Sequence, residues 1–219
     1  MARCLIFRGG WDGHQPVETV DLIAPRLGDA GLEVDVQDSL DGLDDEQKLR
    51  SYNVIVPMWT MGKIPGEASA AITSAVTAGV GLGGWHGGMG DAFREDTGYQ
   101  FLVGGQFVAH PGDIIDYAVE VTDVDHAITR GLPPRFEVRS EQYYMHVDPF
   151  NHVLAETSVV GPGAEWLKGV RMPVAWTRRH GEGRIAYSAL GHNMDDFSQE
   201  PCLMMAMRCI LWAARVLDE

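Results

Sequence analysis

Three histidines in this chain each stand in a glycine-flanked turn at the end of an apolar run. They are His14 in Arg8-Gly9-Gly10-Trp11-Asp12-Gly13-His14, His86 in Gly84-Trp85-His86-Gly87-Gly88, and His192 in Leu190-Gly191-His192. Imidazole titrates near neutrality and serves as acid, base or metal ligand. Trp11, Trp59 and Trp85 lie in or beside such turns, and an indole face is a stacking platform for a sugar ring or another flat apolar surface. Glu141, in Glu141-Gln142-Tyr143-Tyr144-Met145-His146, is a second centre. A carboxyl among aromatic rings has a raised pKa and can move protons; the alternative is a solvated edge-strand carboxylate. Tyr143 and His146 belong to the same run, His110 stands in a Gly104–Gly112 polar loop, and Arg94 sits between Asp91 and Glu95. Arg94 suits an anionic or hydroxylated substrate, or simply a local ion pair. His126, His152 and His180 read as surface or capping residues.

The Gly-Trp-His-Gly-Gly turn joins a buried strand to a helix start, the arrangement of a nucleophile elbow with backbone N–H groups aimed at one space. No Cys or Ser occupies it, which argues against acyl-enzyme chemistry. The glycines could equally serve only close packing of helix on strand. There is no G-x-x-x-x-G-K-[ST] phosphate loop and no clean G-x-G-x-x-G. His14, His86, His146 and His192, with Glu141, have ligand types suited to zinc or another divalent ion, but HxH and HExxH spacings are absent, so any such site requires convergence in space.

The intervening elements must supply that convergence. Arg3–Arg8, Leu32–Val36, Asn53–Pro57 and Val80–Trp85 read as strands, with helices over Pro16–Ala30, Asp44–Leu49 and from Pro65 to Gly79. Alternation of this kind means βαβ units, a parallel sheet and right-handed crossovers. Ligands of such sheets bind outside the carboxyl ends of the strands, where His14, His86 and His192 meet if the late strand Arg184–Leu190 is parallel to the others. Short runs at Ile115–Val121, Phe136–Tyr144, Val153–Ala155 and Pro173–Thr177 read as antiparallel edge additions, and Leu203–Val216 as a closing amphipathic helix.

With 219 residues the chain suffices for one domain, and a net charge of −14 repels polyanions, so nucleic acid and anionic membranes are excluded as partners. No segment approaches the ~20 apolar residues of a membrane span, and the run after Met1 breaks at Arg8, too short for a signal core. Three cysteines without a CxxC pair fit a reducing compartment. A cytoplasmic protein with a small-molecule ligand is the expectation.

Several segments carry a resemblance to a known family. Gly84-Trp85-His86-Gly87-Gly88, the loop ending His110-Pro111-Gly112, Glu141-Gln142-Tyr143-Tyr144, Met172-Pro173-Val174-Ala175-Trp176, Gly181 to Tyr187 into Leu190-Gly191-His192, and Arg208 to Ala214 resemble the ThuA-like (trehalose-utilisation) family, in the same order along the whole chain. The resemblance implies a class I glutamine amidotransferase-like fold over residues 1–219: flavodoxin-like α/β, a mostly parallel sheet with helices on both faces and antiparallel edge additions. Amidotransferases of this fold use an elbow Cys with a His-Glu pair, and this chain has His86 there, so glutamine hydrolysis is not expected. The family is associated with uptake and breakdown of trehalose and related disaccharides, on keto-sugar intermediates.

The resulting expectation is acid/base or metal-assisted chemistry on a sugar derivative. His86, Glu141 and His192 are its candidate catalytic residues. Trp11, Trp59, Trp85, His14, Arg94, His110, Tyr143 and His146 are its candidate binding residues. Two alternatives stand beside it: a non-catalytic sugar-binding or regulatory module, and a homo-oligomeric subunit whose crevice a partner loop fills.

Overall fold

The computed structural model describes residues 1–217. The chain runs β1 (Ala2–Gly10), α1 (Pro16–Asp29), β2 (Leu32–Gln37), α2 (Glu46–Leu49), β3 (Val54–Thr60), α3 (Gly66–Thr77), β4 (Gly81–Trp85), α4 (His86–Gly90) and α5 (Thr97–Val103). It continues through β5 (Gly105–Ala109), β6 (Ile114–Val121), β7 (Arg135–Glu141), β8 (Tyr144–Val147), β9 (His152–Ser158), β10 (Arg171–His180), β11 (Gly183–Ser188), α6 (Met194–Phe197) and α7 (Glu200–Ala213). Nine strands form one sheet in the order β2-β1-β3-β4-β11-β10-β9-β6-β7, and β5 pairs with β8 beside it. The five strands from β2 to β11 are mutually parallel, and β10, β9, β6 and β7 add on antiparallel. The sequence-based expectation for the sheet is met, including the parallel orientation of the late strand.

Strand β1 is apolar on both faces because both faces are covered. Cys4 and Ile6 pack with α1 and α7 residues such as Val20, Ile23 and Ile210, while Leu5 and Phe7 pack on the opposite side with Ile72 and Ala75 of α3. Glycine sets how closely α7 lies on the sheet: a Cβ at Gly83 would stand 2.9 Å from the Ile210 Cα. The three cysteines are free and buried in these layers.

Four local expectations change. The Phe136–Tyr144 run is two strands in different sheets, since Glu141 ends β7 and Tyr144 begins β8. Part of the Gly104–Gly112 loop is strand β5, because β8 supplies an antiparallel partner. Helix α7 ends at Ala213, short of the expected Val216. Pro65 caps α3 from outside its first residue. Among the described residues no helix is long and apolar enough to cross a membrane.

Candidate functional site

Three of the parallel strands, β1, β4 and β11, each run into a glycine-containing turn that delivers one histidine to the same point. After β1, a short 3-10 turn (Asp12–His14) carries His14, which is 3% exposed, and its Nδ1 lies 2.7 Å from Thr60 Oγ1 at the end of β3. After β4, His86 is fully buried in the left-handed region at φ +43°. A non-glycine residue there is strained, as at an elbow nucleophile, and the surroundings must hold it. They do so through Tyr187, whose hydroxyl donates to the His86 carbonyl at 3.1 Å, and through the Ala189 carbonyl, which accepts from His86 Nδ1 at 2.8 Å. After β11, the chain turns at Gly191 (φ +105°) and presents His192.

Glu141 arrives from the opposite edge. Strands β11, β10, β9 and β6 separate β4 from β7 in the sheet, yet Glu141 Oε2 lies 3.1 Å from His86 Nε2. With neighbouring strands about 4.8 Å apart, contact across four intervening strands requires the antiparallel half of the sheet to curl back over the carboxyl ends of the parallel half. His192 Nδ1 stands 3.3 Å from Glu141 Oε2 and 3.3 Å from His86 Nε2, and His14 Nε2 is 3.9 Å from the same carboxylate oxygen. Tyr143 lies over His86 with ring centroids 4.1 Å apart.

One carboxylate therefore serves three imidazoles, and the pKa values of His14 and His192 move in opposite directions. Burial, reinforced by the neighbouring histidines, pushes His14 down to about 4 against the pull of Glu141. Burial also opposes the charge on His192, but the Glu141 carboxylate outweighs it and raises that pKa. Burial by itself would raise Glu141; its contacts to His14, His192 and His86 hold it well below the usual carboxylate range. The carboxyl is thus an anion at neutral pH, contrary to the raised pKa that its aromatic setting suggests in sequence.

The remaining candidates divide. Trp11 is 47% exposed and meets the His14 ring edge-on at 4.8 Å. His110 is partly exposed, with Nε2 3.8 Å from Glu141 Oε1. Arg94 forms a two-pronged ion pair with Asp91, at 2.6 and 2.8 Å, and lies over Phe107. Trp59 is half-buried against Gly9 and Gly62. Two expectations are corrected. Trp85 is wholly buried with its ring against Phe197, because strand alternation turns it into the α7 layer, so it offers no face to a ligand. His146 is exposed on β8, opposite Gln106, because the chain leaves β7 at Glu141 and starts a new strand; it is not among the converging groups.

Asp196 is the residue the sequence reading missed. Its Oδ2 accepts from the His192 N–H at 2.9 Å, the Gly191 N–H at 3.2 Å and the Ser140 hydroxyl at 2.5 Å, tying the His192 turn to the residue before Glu141. Its only sequence signal is a carboxylate in the first turn after the Asn193 cap. Phe107, which packs on Tyr143 at 4.6 Å, also escaped notice.

Gly87 leaves the space in which this cluster assembles. A Cβ there would stand 2.2 Å from His14 Cε1 and 2.9 Å from the Tyr143 hydroxyl. Gly87→Ala is expected to displace His14 and lower cluster-dependent activity at least about tenfold, with folding retained by circular dichroism. An active, unperturbed variant would show that the His14 position is immaterial.

A mostly parallel central sheet with antiparallel edge strands and an elbow at the end of β4 matches class I glutamine amidotransferase-like structures in fold. The CTPS glutaminase domain of Trypanosoma brucei with bound acivicin superposes with TM-score 0.61 at 10% identity, covering 100% of this chain and 96% of that one. The ThuA family model, described as trehalose utilisation, matches residues 3–213, and the chain belongs to that family. A ThuA-like protein from Bacteroides uniformis matches with TM-score 0.76 and 22% identity over 97% of this chain and 91% of that one. One from Parabacteroides merdae matches with TM-score 0.77 and 16% identity, covering 100% and 92%. A search of curated protein sequences finds no match.

Proposed function

We propose that this protein acts in the cytoplasm on a carbohydrate derivative, a keto-sugar form of trehalose or a related disaccharide, through the His86–Glu141–His192 cluster. Membership of the trehalose-utilisation family supports the substrate class. The observation that carries the chemistry is one buried carboxylate oxygen shared by three imidazoles at the strand ends, with an exposed indole beside it. A carbonyl in a sugar ring acidifies the C–H next to it. Removing that proton requires a base within reach and positive charge near the developing enolate oxygen, and cleavage of the glycosidic bond can follow when the leaving group is on the adjacent carbon. The Glu141 carboxylate is the base, and the histidine side of the cluster stabilises the enolate. Trp11 supports the ring. Cysteine chemistry has no part, because His86 holds the elbow and all three cysteines are buried elsewhere.

The test is a panel of trehalose, a second unmodified disaccharide and their keto derivatives, followed by calorimetry and by release of monosaccharide. Turnover confined to the keto forms is expected. Binding without turnover of any of them would identify a sugar-binding module instead, and neither binding nor turnover would remove the carbohydrate reading.

A further inference from the structure

We infer that His14, His86, Glu141 and His192 form a four-ligand site for a single zinc-class divalent cation. The site needs no sugar, so it stands or falls separately from the carbohydrate reading. Geometry is the first ground. Ligands held about 2.0–2.1 Å from a common centre at tetrahedral angles lie about 3.3 Å from one another. Here His86 Nε2 to Glu141 Oε2 is 3.1 Å, His192 Nδ1 to Glu141 Oε2 is 3.3 Å, His192 Nδ1 to His86 Nε2 is 3.3 Å, and His14 Nε2 to Glu141 Oε2 is 3.9 Å. All four ligating atoms fall within 4.8 Å of one another.

Proton accounting is the second ground. The Ala189 carbonyl can only accept, so His86 Nδ1 carries the hydrogen of that bond and, in the neutral ring, Nε2 turns a lone pair inward. That lone pair faces a carboxylate and a second imidazole nitrogen. A proton on one of these atoms relieves a single pair, whereas a cation at their centre satisfies all four. The outward nitrogen of His14 is likewise held, by Thr60 Oγ1 at 2.7 Å, in the way metal-bound imidazoles are oriented by a partner behind them.

Donor chemistry selects the ion. Three imidazole nitrogens and one carboxylate suit zinc, cobalt or another late divalent metal; magnesium and calcium prefer oxygen. The four side chains are 0–7% exposed, which shields the site, while Glu141 Oε1 is turned to the partly exposed His110 at 3.8 Å. The inner carboxylate oxygen is thereby a ligand and the outer one remains for proton transfer.

The experiment starts from chelator-dialysed protein titrated with Zn(II), Co(II) and Mg(II) by calorimetry, with visible spectroscopy of the Co(II) form. One Zn(II) per chain, weaker or no Mg(II) binding, and d–d bands of tetrahedral intensity are expected. Thr60→Val, which removes only the support behind His14, is expected to weaken Zn(II) binding about 10–100-fold. His192→Ala, checked for folding by circular dichroism, is expected to abolish stoichiometric binding, and His146→Ala to leave it unchanged. Absence of saturable Zn(II) binding, preference for Mg(II), or stoichiometric binding that survives in folded His192→Ala would overturn the site.

Discussion

Glu141→Gln is expected to abolish turnover of a keto-disaccharide, by about 10²–10⁴-fold in kcat, the range over which a positioned acid or base acts. The substitution isolates charge from shape. Glutamine has the same length, and its amide can donate to the inward lone pair of His86 Nε2 where the carboxylate stands 3.1 Å away, so the buried position stays hydrogen-bonded. The Tyr117 hydroxyl bond to the residue 141 carbonyl, 3.1 Å, is unaffected because it is made to the main chain. What disappears is the anion that raises His192 and that must accept the substrate proton. Three readouts separate the possibilities: near-native melting reports intact packing, a lowered His192 pKa by NMR reports loss of the anion, and kcat reports the chemistry. If kcat is unchanged while the His192 pKa falls, Glu141 is not the base.

Acid stability gives the second large effect. In metal-free protein, His14 titrates near 4 when folded and near 6.5 when unfolded. A folded pKa below the unfolded one means that the unfolded chain binds the proton more tightly. The stabilisation from keeping His14 neutral is complete above 6.5 and is lost as pH falls towards 4, a total of about 3 kcal/mol at ~1.4 kcal/mol per unit. Glu141 acts in the same direction below its ordinary value of 4.5, because its folded pKa is also depressed. His192 behaves oppositely: its folded pKa is raised, so its contribution is present below 6.5 and is lost as pH rises through the folded value. Urea midpoints measured between pH 7 and pH 4.5 are expected to fall steeply. His14→Asn, whose amide reaches the Nδ1 position beside Thr60, is expected to flatten that slope. A slope unchanged in His14→Asn would mean that another group governs acid unfolding.

Much of this site was readable before any coordinates. His14, His86 and His192 each follow a strand that alternation or apolar run length identifies, and in an open parallel sheet the carboxyl ends of such strands share one rim. Short-range pattern failed where the partner strand decides the outcome. Nothing local in Phe136 to Tyr144 says that pairing with β6 stops at Glu141 and that Tyr144 joins β5 instead, and this switch removes His146 from the site. Period-two alternation did contain the fate of Trp85, but which face of β4 looks to α7 depends on how closely the helix packs on Gly83.

The sequence by itself determined the α/β class, the elbow without a cysteine and the three histidine turns, because each is written in local spacing of apolar, glycine and imidazole residues; the family came from the resemblance of whole segments along the chain. Only the tertiary structure decided that Glu141 joins them. That contact spans 55 residues between His86 and Glu141 and depends on the curl of an antiparallel half-sheet. It is this closure in space that turns three titratable side chains into one shared centre.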